Sequence, residues 1–108
     1  MSGRILEFNV DKQRLMRKRD CDFTGIVAGS VGYLKVKFNF SQEWDNCAKV
    51  ACFEDADGNP EPVEIDADGT CDIPAKVLTG ERFYVSVIGG RRGYKLGTNE
   101  IKIRQEVK

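Results

Sequence analysis

The stretch from Tyr33 to Phe53, YLKVKFNFSQEWDNCAKVACF, constrains the fold more than any other part of the chain. Leu34, Val36, Phe38 and Phe40 fall on one side of an extended segment, and Tyr33, Lys35, Lys37 and Asn39 fall on the other. Successive side chains of an extended backbone point to opposite faces, so this sustained two-residue period marks a strand with one buried face. SQEWDN breaks the alternation, and CAKVACF reads as a second strand running back. The lone tryptophan, Trp44, sits at the turn between them. Burying an indole contributes several kcal/mol at roughly 25 cal/mol per Å². Trp44 is therefore expected to plug one end of a core that also holds Phe38, Phe40 and Phe53. The competing reading makes it an exposed aromatic that grips a sugar or a base.

The remainder of the chain follows the same pattern. Leu6, Phe8 and Val10 mark a strand over 4–10, DKQ a tight turn, and Arg14 to Arg19 a short charged strand. Charges of that density suit a sheet edge, where they discourage pairing with other chains. Phe23 to Ala28 leads into a flexible GSVG connection. DADGNPEP at 55–62 and DADGT at 66–70 each carry Asp-Gly, a strong turn signal, and both are expected to close hairpins. Short strands are expected at Val63–Asp66 and Thr70–Ile73. Pro74 to Leu78 reads as a connector of one helical turn, and Arg82 to Ile88 as a strand with Phe83, Val85 and Val87 inward. GGRRGYKLGTN is a glycine-rich excursion, and Ile101, Ile103, Gln105 and Val107 finish the sheet. About eight strands with almost no helix predict a single domain, residues 1–108, folded as an all-β, antiparallel β-sandwich.

A chain of 108 residues suits one core and buries roughly two-thirds of its unfolded surface. MSGRILEFNV lacks the apolar stretch and small-residue cleavage site of a secretory signal, so folding in a cytosol is the expectation. No apolar run approaches the ~20 residues that span a bilayer. Cys21, Cys47, Cys52 and Cys71 are then expected to be reduced, structural thiols. The spacing of Cys47 and Cys52 is wider than a zinc knuckle, and along a strand it sends the two sulfurs to opposite faces. Net formal charge is zero, which exerts no overall pull toward nucleic acid or anionic membrane, and neither partner is expected. The distribution is uneven, however. Lys12, Arg14, Arg17, Lys18 and Arg19 cluster early, Glu54 to Asp72 holds eight acidic residues and no basic one, and basic residues dominate from Lys76 onward. Such a dipolar surface is either compensated internally or joins copies head to tail, and both readings stay open.

Chemistry-bearing motifs are sparse. Asp55, Asp57, Asn59 and Glu61 offer oxygens at alternate positions, with Asp66, Asp68 and Asp72 nearby, which is the donor chemistry of calcium. The glycine falls in the wrong place for a calcium loop, Pro60 and Pro62 stiffen the segment, and no bidentate glutamate closes it. Plain turns are expected, without a metal. GGRRG at 89–93 lies between two strands with no following helix, so it reads as a hairpin tip rather than a phosphate cradle. The chain has no histidine, and nothing marks a catalytic carboxylate pair. No enzymatic activity, catalytic residue or cofactor is expected.

One resemblance spans most of the chain, from about Gln13 to Arg104. Its features are Phe38-x-Phe40, then Glu43-Trp44, a strand ending at Phe53, Asp68 to Pro74, a valine-rich strand from Tyr84 to Gly89, and Thr98-Asn99. In that order they resemble a domain found in structural proteins of phages and prophages of Gram-positive bacteria. The resemblance implies an immunoglobulin-like β-sandwich, made in the host cytoplasm and built into the virion. Such domains are similar to N-terminal anchors of tail, baseplate or head-fibre proteins, including upper baseplate proteins. The chain stops at Lys108, where a fibre would normally continue, which implies an excised anchor or a short decorating protein. The implied partners are other virion proteins in a multimeric assembly, and the family brings no catalytic residues. Docking is expected through the tip at Arg91, Arg92 and Tyr94 and through the acidic segment at Asp55 and Asp57. The alternative is a carbohydrate-binding module in which Trp44, Tyr33, Tyr84 or Tyr94 stacks on host glycans. A nucleic-acid-binding barrel using Arg14–Arg19 and Arg91–Lys95 comes last, because the neutral charge and acidic middle oppose it.

Overall fold

Nine strands build the fold of residues 3–107, the part of the chain that the computed structural model describes. In chain order they are β1 (Arg4–Asp11), β2 (Arg14–Arg17), β3 (Leu34–Phe40), β4 (Ala48–Glu54), β5 (Pro60–Glu64), β6 (Thr70–Asp72), β7 (Arg82–Arg91), β8 (Tyr94–Gly97) and β9 (Ile101–Arg104). Single 3-10 turns at Gln42–Trp44 and Ala75–Val77 interrupt them. Two sheets face each other across one core. The first has the order β2-β1-β3-β6, and the second has the order β5-β4-β7-β8, with β9 continuing along the same edge of β7 as β8. The all-β sandwich expected from the alternation is the observed architecture, with nine strands in place of about eight.

Period two decides which side chains go inside. Leu6, Phe8 and Val10 of β1, Leu34, Val36 and Phe38 of β3, and Phe83, Val85 and Val87 of β7 are all buried. A run of rings fills the inner face of the first sheet. Phe23, Phe8, Phe38, Phe40 and Trp44 follow one another with centroids 5.2, 5.6, 5.8 and 5.2 Å apart. Phe53 and Phe83 face them from the second sheet.

Three expectations need correction. The strands flanking SQEWDN do not pair with each other: β3 pairs β1 and β6, whereas β4 pairs β5 and β7. The Trp44 turn thus carries the chain from one sheet to the other. The second Asp-Gly segment likewise joins β5 of one sheet to β6 of the other, although Asp66 N–H donating to Thr70 C=O closes it as tightly as a hairpin. Only the Asp55–Asn59 turn closes a true β4–β5 hairpin. Finally, one pair is parallel: Arg4 to Val10 lie in register with Leu34 to Phe40. The cause is that β2 already runs back toward the end where β1 began, and the long segment 18–33 then carries the chain across to the other edge of β1.

Candidate docking surfaces

The two expected docking loops lie at opposite ends of the sandwich. Ala48, at the start of β4, stands beside Gly90, next to the Arg91–Tyr94 tip. Glu54, at the far end of the same strand, leads into the Asp55–Asn59 turn. The molecule is 45 Å long, so no compact site contains both.

The basic end is built on Trp44. The indole is fully buried and its Nε1 donates to the Lys12 carbonyl at 2.7 Å. It cannot stack on a sugar or a base from there. Phe38 and Phe53 are buried with it, while Phe40 is only partly covered, with the Lys49 ammonium 5.2 Å above its ring. Above this plug, Arg92 and Gly93 form a two-residue tip between the paired residues Arg91 and Tyr94. Gly93, the second tip residue, has φ +73, a left-handed backbone that glycine adopts without a Cβ penalty. The tip is anchored, because the Tyr94 hydroxyl donates to the Glu43 carbonyl at 2.7 Å and the Arg91 guanidinium lies 4.0 Å from the Tyr94 ring centre. Arg91, Arg92, Lys95 and Lys12 are exposed around it. Tyr94 is engaged at both its face and its hydroxyl.

The acidic end is a self-satisfied turn. Asp55 Oδ1 accepts from the backbone N–H of Asn59 and of Asp57, both at 2.9 Å, and Oδ2 accepts from the Asn59 carboxamide at 3.0 Å. Those bonds, the Asn59 backbone first, hold the Asp55 carboxyl below its usual range. Asp68 behaves alike, held down by the Thr70 hydroxyl and then the Thr70 N–H. Both oxygens of Asp55 are thus committed to the turn, and Asp57 is the exposed carboxylate there. Among the described residues, no cluster of three or more acidic, cysteine or histidine side chains is placed to hold a metal ion.

Thr98 and Asn99 have a role that sequence reasoning missed. β8 and β9 are two halves of one edge strand, broken between Gly97 and Ile101. Across the break the Thr98 hydroxyl accepts from Val87 N–H at 2.9 Å, replacing a lost ladder bond. Asn99 reaches the other sheet: its Oδ1 accepts from Leu15 N–H at 2.7 Å and its Nδ2 donates to the Leu15 carbonyl at 3.2 Å. The carboxamide imitates one peptide unit of a neighbouring strand and clasps the two sheets along that side. Below this clasp the seam opens into a hollow of about 730 Å³ between Phe23–Ile26 and Lys102–Glu106. Gln105 is buried at its margin, with Nε2 on the Gly80 carbonyl and Oε1 without a partner.

The remaining aromatics do not gather into a row. Tyr33 is exposed at the start of β3, and the Tyr84 hydroxyl accepts from Arg82 Nε at 2.9 Å on the second sheet. All four cysteines are free, with Cys47 and Cys71 buried. Among the described residues, no helix is long and apolar enough to cross a membrane. Neither a protein-family model nor a curated protein sequence matches the chain.

Proposed function

We propose that this chain is a non-catalytic structural domain of a phage or prophage virion, docked by protein–protein contacts into a tail baseplate or a head fibre. The observation that carries the reading is the ordered series Phe38-x-Phe40, Glu43-Trp44, Phe53, Asp68–Pro74, Tyr84–Gly89 and Thr98-Asn99 across nearly the whole chain. Its physical form supports it. A rigid sandwich with an anchored, exposed basic tip at one end suits a part that is copied many times by symmetry. Each docking contact is then weak, and repetition supplies the affinity.

A glycan-binding role draws less support. Trp44 is buried, Tyr94 is bonded and covered by Arg91, and Tyr33, just before β3 of the first sheet, lies apart from Tyr84 in the second. The deciding experiment is antiserum raised against the domain and applied to intact particles from the source strain. Label confined to the tail tip or to the capsid is expected and distinguishes a baseplate from a head fibre. Unlabelled particles, alongside protein detected in the producing cells, would overturn the virion reading.

A further inference from the structure

The outer faces of the two sheets differ in chemistry. On the four-stranded sheet, Glu7, Asn9, Lys35, Lys37 and Asn39 point out. There Asn39 Nδ2 donates to Glu7 Oε2 at 2.8 Å and to Asn9 Oδ1 at 3.1 Å, forming an ordinary solvated surface. The five-stranded sheet is apolar in its middle. The alternation that sends Ala51, Phe53, Val85 and Val87 inward leaves Ala48, Val50, Cys52, Ser86 and Ile88 facing out. Ile88 is 41% exposed, and beside it Gly90 leaves a shallow hollow of about 420 Å³.

Charge frames this apolar strip asymmetrically. Glu54 and Glu64 stand on its β4–β5 side, and Lys95, Lys102 and Arg104 stand on its β8–β9 side. These charges have few partners within the molecule. The ion pairs among the described residues are Lys18–Asp20, Lys35–Asp72 and Arg82–Glu81, and none joins the two margins.

We propose that a second copy of the chain packs on this face, sheet against sheet, about a twofold axis parallel to the strands. Charge complementarity chooses the occupant and the axis. Rotation about an axis along the strands lays the acidic margin of each copy over the basic margin of the other. Rotation about an axis across the strands would set acid on acid and base on base, and like charges juxtaposed at an interface cost several kcal/mol. Both rotations cover the apolar strip, but only the first pairs its borders. An isologous contact of this kind closes at two copies and does not propagate into a filament.

Size sets the strength. Strand spacing and rise give the face roughly 20 by 23 Å, near the low end of specific interfaces when both copies are counted. The dimer is therefore concentration-dependent, dissociating in roughly the micromolar range. The inference does not depend on the virion reading, since it concerns the purified chain alone.

Sedimentation equilibrium across a concentration series tests it. The expected result is a rise from 12.1 kDa toward twice that mass. Ile88→Glu should weaken association by roughly tenfold or more, since it places a charge at the centre of the contact. The double reversal Lys95→Glu/Lys102→Glu should weaken it too, and so should Glu54→Lys/Glu64→Lys. Combining the two reversals should restore association, because the margins then complement each other with opposite sign. All of these positions lie on the outer face, and circular dichroism and melting temperature confirm that each variant is folded. A chain that stays monomeric to about 1 mM overturns the proposal. So does a dimer that Ile88→Glu leaves intact, or a combined variant weaker than both of its parents.

Discussion

Gly89 fixes the position of the indole. A Cβ at this residue would lie 2.7 Å from Cζ3 and 2.8 Å from Cε3 of Trp44, far inside contact distance. The ring cannot retreat, because its Nε1 is tied to the Lys12 carbonyl and Phe40 flanks it. Gly89→Ala should therefore cost about 2 kcal/mol in urea unfolding, the usual size of overpacking in a filled core. Gly93→Ala is the contrast, with φ +73 and nothing within 4 Å, so only the backbone opposes it, by about 1 kcal/mol. Equal costs would mean that the indole moves aside freely. Titration gives a second residue-scale expectation. Burial first, then the charges of Asp72 and Asp66, pushes the Cys71 thiol up from 9.0 to about 12. The unfolded chain loses this proton first, so the stability that the neutral thiol contributes is complete below pH 9.0 and is lost as pH rises toward 12. Replacing it by Cys71→Ala should flatten the alkaline fall in melting temperature. Asp55 and Asp68 act with the opposite sign. Their lowered carboxyls contribute above the ordinary 3.8 and lose that contribution as pH falls below it. Asp55→Asn/Asp68→Asn should accordingly flatten the acid limb, and an unchanged limb would place acid sensitivity elsewhere.

At the scale of elements, the clasp at Thr98-Asn99 holds an edge that strand pairing leaves open. Asn99→Ala removes both partners of the Leu15 peptide groups, and a loss of about 1–2 kcal/mol is expected. The same variant should expose the Leu15 amide to hydrogen exchange well before global unfolding, while the β1–β3 amides keep their protection. Uniform loss of protection would deny the clasp a local role. This element also marks where sequence reading stops. Alternation located β1, β3 and β7 and assigned their inward faces, because each has one apolar face to bury. It could not assign strands to sheets. Trp44 and the Asp66–Thr70 corner look like hairpins locally, and only tertiary pairing sends their flanking strands to different layers. Thr98-Asn99 was visible as a motif, yet its bonds to Leu15 cross 84 positions, and no local pattern encodes them. Turn chemistry placed the tip within 89–93 and the Asp55 turn within 55–62, although Gly89 to Arg91 belong to β7 and Pro60 to Pro62 to β5, so each turn is shorter than its motif. The outer strip of β4 stayed hidden, because CAKVACF is apolar on both faces and its period says little about which one meets the core.

At the scale of the whole molecule, the proposed virion role makes the two expected docking loops competitors for one anchoring position. A body 45 Å long, held in a symmetric particle by one end, presents its other end to solvent. Local physics favours the basic end as the anchor. Tyr94, bonded to the Glu43 carbonyl and stacked by Arg91, holds the tip in one geometry before any partner arrives, so little order has to be bought on docking. At the acidic end Asp55 is consumed by its own turn, and Asp57 is a single exposed charge of the kind that contributes little at a solvated contact. The proposed twofold axis strengthens this choice. An axis along the strands sets both basic tips at the same end, where paired contacts reinforce each other and salt screening over roughly 8 Å limits their repulsion. Arg91→Glu/Arg92→Glu should therefore cut incorporation into particles by at least about tenfold, more than a single contact would explain. Asp57→Lys, at the far end, should change it less than about twofold, as expected of a site too distant to couple. Ile88→Glu should fall between them, because it leaves each tip intact and removes only their pairing. Quantitative immunoblotting of purified particles, normalised to a capsid protein, reads all three. The reverse ranking, with Asp57→Lys the most damaging, would move the anchor to the acidic end and leave the basic tips facing outward.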